Sequence, residues 1–496
     1  MILDRLPDKD QFIKLAQSAN VIPVATRVLA DSDTPVSILQ KCYEKDKACF
    51  LLESVEGGER WGRYSFLGVS AFGHIKIFKT HVLVETRHDT KKIDHNNDPL
   101  SVMRDVIKKF TPADIPDLPR FWSGITGYFA YEIVSFFENI DVSLPEGSPY
   151  GHFIIPEQMI IFDNIKQTLT CLNICYLSGS DDPAVVYDDA RNKIDTLVKD
   201  LGKPLVPKPA AYVADTRLVP ETPAEEYMAG VNTIKDHIVE GDIFQAVYSQ
   251  PFSCKTDVDP VMIYRAQRYI NPSPYMFFMN FTDRVIAGSS PETMVRLENR
   301  VATLRPIAGT RPRGKSEQKD RALADDLLND EKEKAEHVML IDLGRNDLGR
   351  VARAGTVQVT DTMVIERYSH VMHLVSNITC DLKEACDAFD LFKATFPAGT
   401  LSGAPKIRAM EIIGMLENRQ RGVYGGAAGY ISFTGNMDFA ITIRTAVMEN
   451  DTLTVQAGAG IVYDSDPETE LNECINKAKS VEMALKLALS QSTKGE

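Results

Sequence analysis

Residues 203–220, KPLVPKPAAYVADTRLVP, divide this chain. Prolines at 204, 207, 209 and 220 deny the stretch both a helix interior and a central strand, and its apolar residues follow no period, so it reads as a linker or strap. At 496 residues the chain is long enough for a well-buried core on each side of it. The expected domains are residues 1–205 and 220–490. Immediately after the strap, Thr222-Pro223-Ala224-Glu225 predicts a helix start, with Thr222 as N-cap, Pro223 at the first helical position and Glu225 closing a capping box. That helix is expected to run to about Gly241.

The first domain mixes strand-like runs (Cys49 to Glu53, Phe153 to Phe162, Thr168 to Tyr176) with helical stretches. The second shows helical periodicity at about 222–240, 317–343, 387–396, 404–417 and 467–489, with β-rich runs at 427–433, 439–448 and 452–463. Strands at hairpin spacing with helices grouped apart predict an α+β fold rather than a parallel doubly wound sheet. No glycine-rich strand–turn–helix fingerprint offers a nucleotide site.

A net charge of -14 argues against nucleic-acid binding, and it means that a small anionic substrate needs a local cation cluster or a metal to offset the field. The start, MILDRLPDKDQF, has no basic segment leading into an apolar run, and no stretch approaches the ~20 apolar residues of a membrane span. The eight cysteines show no zinc-type pairing; Cys171 and Cys175, the closest pair, have the wrong spacing. Reduced thiols in a cytoplasm are the expectation.

Several constellations carry chemistry. Glu333 and Glu336 lie three apart on a predicted helix, as do Glu470 and Glu473, where Asp466 and Pro467 supply the N-cap and first turn. Residues i and i+3 share a helix face. Two facing helices can therefore present four carboxylates to a hard cation, although spacing alone favours two solvated faces. Lys477, four after Glu473, reads as a helix ion pair or as a hand for an anion. The run Glu366 to Ser376 reads as one strand, in which His370 and His373 point to opposite faces and so cannot share a metal; each is a lone acid/base candidate or a structural histidine. Glu292 ends Gly288-Ser-Ser-Pro291-Glu292, and enclosure there would raise its pKa and suit it to general-acid work, against the plainer reading of a loop glutamate. Ala457-Gly458-Ala459-Gly460 is expected to follow a strand and to admit a ligand carboxylate to its N–H groups, with Arg444, in the strand Ile441-Thr-Ile-Arg444-Thr, as a bidentate partner. A tight sheet crossing and a paired arginine explain the same residues.

Taken together, these motifs resemble those of the chorismate-utilising enzymes. The resemblance rests on Gly241-Asp-Ile-Phe-Gln245, Ser290-Pro-Glu292, Pro306-Ile-Ala308-Gly-Thr310, Ala335-Glu336-His337 leading into Asp342-Leu-Gly-Arg-Asn-Asp347, Val371-Met-His373, Gly399-Thr400-Leu-Ser-Gly-Ala-Pro405, Tyr424-Gly-Gly, Ile443-Arg444, Gly458-Ala-Gly460 and Asn476-Lys477-Ala478, in order across residues 220–480. Leu51-Leu-Glu53-Ser54 and Arg63-Tyr-Ser-Phe-Leu-Gly68 further resemble the anthranilate synthase large subunits within that family.

The resemblance implies two interlocked domains around antiparallel sheets with flanking helices, and conversion of chorismate and ammonia to anthranilate and pyruvate. It implies Mg²⁺ on Glu336 and Glu473 with support from Glu333 and Glu470. Chorismate would be held by Thr400, Tyr424, Arg444, Lys477 and the backbone of Gly458, Ala459 and Gly460. Glu292 would protonate the departing C4 hydroxyl, His373 would assist pyruvate loss, and Thr310 and Gln245 would complete the catalytic set. Relatives that add water carry lysine where this chain has Gln245, and aminodeoxychorismate synthases commonly carry lysine where it has Ala308. Aminodeoxychorismate synthase is the alternative, ahead of an isochorismate or salicylate synthase and of a silent tryptophan-sensing protein. No cysteine sits in a Gly-x-Cys-x-Gly elbow, so glutamine use requires a separate amidotransferase subunit and a hetero-oligomer. Glu53, Ser54, Asn271, Pro274, Tyr275 and Met276 match the tryptophan pocket of the large subunits, which implies feedback inhibition.

Overall fold

The computed structural model describes residues 1–30, 33–55, 62–205, 217–368 and 371–492. Among them, 23 strands join one hydrogen-bonded network in which the named strand pairs are all antiparallel. The fold is α+β. Two seams interlock the halves of the chain. Cys49–Glu53 pairs with Tyr275–Asn280, placing Glu53 opposite Met276. Gly124–Phe129 pairs with Ala427–Ser432. The largest apolar cluster runs across both seams, with Phe50, Phe66 and Phe121 from one half packed with Phe277, Tyr430 and Phe439 from the other. A third cluster lies under the last helix, Pro467–Ser492, whose Cys474, Ala478, Val481, Leu485 and Ala488 recur at steps of four and three and form its buried stripe. Much of the strap, 206–216, falls outside the described residues.

Five local expectations are corrected. The helix after the strap is Ala224–Val239; Pro223 itself is the N-cap, with ψ 143, and no side chain caps it, because the first helical bond runs from Tyr227 N to Pro223 O, one residue later than Thr222 would allow. The 317–343 run is two helices, Glu317–Asn329 and Glu331–Gly349. Asp330 separates them: it leaves helical geometry and its carboxylate accepts from Lys332 N and Glu333 N at 3.0 and 3.2 Å, capping the second helix. Residues 366–376 are not one strand but belong to two that pair antiparallel, Gln358–Arg367 and Val371–Asp381, with Glu366 opposite His373. β-Branched content marks strands without marking where the chain reverses. His370 lies outside the described residues. The 439–448 run is broken into Met437–Ile441 and Thr445–Glu449 at Arg444, which holds φ 50 in the left-handed region. Ala457–Gly460 lies inside the strand Thr452–Ile461 rather than after it, in register with Gln245–Lys255. A helix unmarked in the sequence reading, Pro260–Ile270, carries Tyr264 and Arg268 toward Glu53.

Candidate functional site

A cavity of 590 Å³ opens between the strand Gln245–Lys255, the hairpin strand Val371–Asp381 and the helices Glu331–Gly349 and Pro467–Ser492. It gathers Gln245, Glu292, Thr310, Glu333, Glu336, His373, Thr400, Tyr424, Arg444, Gly458, Gly460, Glu470, Glu473 and Lys477. Ala459, also expected in the substrate set, faces the other way: it is fully buried in the cluster under the last helix, because alternate residues of a strand point to opposite faces.

The two glycines beside it have a steric reason to be glycine. A Cβ on Gly458 would lie 2.8 Å from the Tyr424 hydroxyl, and one on Gly460 2.6 Å from Gln245 Nε2. Both leave room for a cavity side chain. Lys477 Nζ donates to the Gly458 carbonyl at 2.8 Å and pairs with Glu473 at 2.7 Å, so the two readings of that lysine, ion pair and cavity cation, hold at once.

The Glu292 carboxylate, at the end of the strand Val285–Ser290, accepts from Thr400 Oγ1 at 2.9 Å. Burial raises its pKa to about 7 against the opposing pull of Thr400, Arg444 and Lys477, so near neutrality a proton is available there. Burial also lowers the Arg444 pKa, with Glu292 offsetting it. His373 is fixed by its Nδ1, 3.0 Å from the Gly309 carbonyl and 3.1 Å from Thr310 Oγ1. The carbonyl accepts only, so Nδ1 carries the proton donated to it. Gly309 holds φ 63, and a Cβ there would sit 2.7 Å from Leu327 and 3.1 Å from Glu333.

The four glutamates line the cavity from two helices. Burial raises the Glu336 pKa first, then repulsion from Glu333, with Glu473 adding to it and a hydrogen bond from Gln245 opposing. Burial and Glu473 likewise raise Glu470, against a bond from Ser465. Burial and like charge together thus hold two of the four carboxylates above their ordinary pKa.

A second cavity, of 60 Å³, lies at the seam between the halves and is lined by Glu53, Ser54, Pro274, Tyr275 and Met276 together with Arg120, Tyr430 and Asp438. Asn271 does not join it. Its amide donates to Ser289 Oγ at 2.9 Å, its Oδ1 accepts from Arg444 at 3.4 Å, and it lines the open mouth through which His373, Glu473 and Lys477 face outward. The Glu53 carboxylate is already engaged, accepting from Arg268 Nε at 2.8 Å and Tyr264 OH at 2.6 Å. Pro291 and Ile307 belong to the walls of both cavities.

Lys332 and Gln456 line the large cavity without having been singled out in the sequence. Lys332 is one of several charges on an exposed-looking helix, and Gln456 is an isolated polar residue in a strand, so neither carries a local signal.

A family model described as chorismate binding enzyme matches residues 48–483. The chain is 44% identical over 484 residues to anthranilate synthase component 1 of Aquifex aeolicus (strain VF5), covering 96% of this chain and 97% of that protein. It is 44% identical over 501 residues to the same component of Pseudomonas putida, covering 98% and 100%. Among solved structures it superposes on anthranilate synthase component I from Streptococcus pneumoniae TIGR4 with a TM-score of 0.74 at 36% identity, covering 92% of this chain and 99% of that one. The menaquinone-specific isochorismate synthase of Escherichia coli shares the fold, with a TM-score of 0.70 at 20% identity over 96% and 98% of the two chains.

Proposed function

From the premise that this chain belongs to the chorismate binding enzyme family, we propose that it is the aminating subunit of an anthranilate synthase, forming anthranilate and pyruvate from chorismate and ammonia. The observation that carries this reading is Glu292: a buried carboxyl with its pKa near 7, held by Thr400, in a cavity that also presents Arg444, Lys477 and four carboxylates. An acid that can still donate near neutral pH is what departure of a ring hydroxyl needs. At the two positions that sort the family's reactions, Gln245 offers no base to activate water and Ala308 no amine to attack the ring, which supports ammonia as the nucleophile.

The chemistry of the donor set, carboxylate oxygens lining one cavity, supports a magnesium ion. Glu336 and Glu473 would hold it, supported by Glu333 and Glu470; burial first and then their mutual repulsion raises the pKa of Glu336 and Glu470, and that repulsion is what the ion would offset. When bound, the ion supplies neutralisation and Lewis-acid polarisation for the ring carboxylate of chorismate. Arg444 and Lys477 bind the substrate's carboxylates. Glu292 donates its proton to the C4 oxygen as ammonia adds at C2. His373, its ring oriented through Nδ1, serves the second step by accepting a proton during pyruvate loss and aromatisation.

Glutamine would be hydrolysed by a separate amidotransferase subunit, giving a hetero-oligomer. All eight cysteines are free thiols, most of them buried; burial pushes Cys49, Cys171, Cys175 and Cys474 up to about 12, which silences them as nucleophiles at neutral pH. No helix among the described residues is long and apolar enough to cross a membrane, and we place the enzyme in the cytoplasm. Tryptophan is the proposed feedback inhibitor, bound at the seam cavity. The purified chain given chorismate, ammonium and Mg²⁺ is expected to produce anthranilate fluorescence, and to produce none with glutamine alone. Formation of 4-amino-4-deoxychorismate or isochorismate instead would overturn the reading.

A further inference from the structure

Arg421 lies behind the wall of the large cavity, its side chain 2% exposed. Nothing in Asn418-Arg-Gln-Arg421-Gly sets it apart from a solvated surface turn. Its guanidinium is used on every side. Nε and Nη2 each donate to the Glu417 carboxylate at 2.7 Å, Nη1 donates to the Leu401 carbonyl at 2.6 Å, and Nη2 donates to the Val247 carbonyl at 2.7 Å. The guanidinium lies 4.5 Å from the Tyr131 ring centre and 5.6 Å from that of Tyr424. Leu401, Val247 and Tyr424 all line the cavity.

The partners of this arginine are themselves fixed. Glu417 Oε1 accepts from the Ser249 amide at 2.9 Å and its hydroxyl at 2.8 Å. The Arg421 amide donates to Glu132 Oε1 at 2.7 Å, across from the first half of the chain. Burying a guanidinium requires a counter-charge, and Glu417 supplies it; charge balance gives no reason for the two further bonds to carbonyls of separate segments. Those bonds do have a geometric consequence. Leu401 closes the short 3-10 turn Gly399–Leu401, and Thr400 in that turn donates to Glu292.

We propose that Arg421 is a positioning residue, a planar clamp that locks the Thr400 turn and the Tyr424 ring against the strand at Val247 and so holds the hydroxyl that meets Glu292. This rests on the reading of Glu292 as the acid of the proposed reaction. Lysine cannot replace the clamp: one tetrahedral ammonium does not span a carboxylate and two carbonyls in a plane, although it preserves the charge.

The test is a double-mutant cycle of Arg421→Lys with Thr400→Val, read as kcat for anthranilate formation from ammonia. Arg421→Lys is expected to lose about tenfold or more in kcat, and Thr400→Val to cost under about twofold more on that background, well below its cost in the wild type, because groups acting through one contact are non-additive. Additive losses, or a lysine variant within twofold of wild type, overturn the proposal. If the lysine variant fails to fold, Glu417→Gln, which keeps an acceptor but loosens the clamp, takes its place in the cycle with the same expectation. Hydrogen exchange supplies a readout independent of turnover: amides of residues 399–402 should exchange at least about tenfold faster in the variant, with the rest of the sheet unchanged. Unchanged exchange overturns the clamp even if the wild type makes no anthranilate, an outcome that would itself count only against the proposed reaction.

Discussion

The two cavities share Pro291 and Ile307 as walls and treat charge in opposite ways. In the larger, carboxylates from two helices crowd one another, and Glu292 and Arg444 are held by burial away from their ordinary pKa values. In the smaller, the ionised groups are matched: Glu53 by Arg268 and Tyr264, and Asp438 by Arg120 at 3.3 Å and by Tyr275 at 2.9 Å. A region that keeps charge unbalanced is prepared for an ionic ligand and pays for it in stability; a region that balances its own charge holds the halves of the chain together. Substitutions should therefore report as catalysis on one side of Pro291 and as stability or regulation on the other.

The largest effect is expected from Glu473→Gln. It removes one oxygen donor from the proposed metal site, and turnover at saturating Mg²⁺ should fall by ~10³-fold, the scale of several kcal/mol of Lewis-acid help. The melting temperature should change little, since repulsion on Glu336 and Glu470 and the half-exposed pair with Lys477 are lost together. Turnover near the wild-type rate at ordinary Mg²⁺ would remove the site as drawn.

Glu292→Gln comes next, with a loss of ~10²-fold, the lower end of what a general acid contributes. The same residue fixes a pH dependence. In the proposed reaction its protonated form is the active one, and burial has moved its pKa up to about 7. With free ammonia held constant, kcat/KM should be level below that pH and fall about tenfold per unit above it. A wild-type profile flat through pH 8.5 would show that another group supplies the proton.

How far the sequence disclosed each region follows from how each is built. The large cavity draws its described side chains from residues 245–477, and pairs such as Glu333/Glu336 and Glu470/Glu473 are set by helix spacing within a few residues. Such local geometry can be read from a string. Arg444 was legible as a residue but not in its setting, because the left-handed backbone that breaks its strand has no marker in Ile441-Thr-Ile-Arg444-Thr. The small cavity exists only where Cys49–Glu53 pairs with Tyr275–Asn280, a register between segments more than two hundred residues apart. The motifs named Glu53 and Met276 there; that Arg268 and Tyr264 occupy the Glu53 carboxylate, and that Asn271 turns to Arg444, depends on packing of a helix the sequence reading did not mark. Arg421 escaped for a related reason: Glu417 is local to it, but the carbonyls of Leu401 and Val247 come from separate segments.

A smaller effect on turnover is expected at the seam. Its 60 Å³ is well under the ~300 Å³ at which small-molecule pockets begin, so an indole must part the walls to enter. Pro291 and Ile307 would carry that movement to the larger cavity. Tryptophan should then weaken chorismate binding, and chorismate should weaken tryptophan binding by the same factor. Met276→Thr or Ser54→Arg should relieve inhibition while leaving uninhibited kcat within about twofold, a change too small to implicate the chemistry. Calorimetry with each ligand in the presence of the other measures the reciprocity, and unequal factors would mean that the ligands do not act through one shared equilibrium.

The smallest effect should come from Tyr430→Phe. The hydroxyl accepts from Arg120 Nε at 2.9 Å, while the ring stacks on Phe121 with centroids 4.1 Å apart and meets Phe66 edge-on at 6.0 Å. Phenylalanine keeps both ring contacts and loses only the acceptor. Arg120 retains Asp438, so its charge is not orphaned. The loss should be about 1–2 kcal/mol, the range for one bond to a charged donor. In denaturant unfolding that appears as a lower midpoint with an unchanged slope, since the surface exposed on unfolding is the same. Anthranilate formation should stay within about twofold of wild type, because Tyr430 touches only the matched side of the shared wall. If kcat instead falls tenfold while the midpoint holds, the seam is transmitting directly to the chemistry, and the separation of the two regions at Pro291 and Ile307 is wrong.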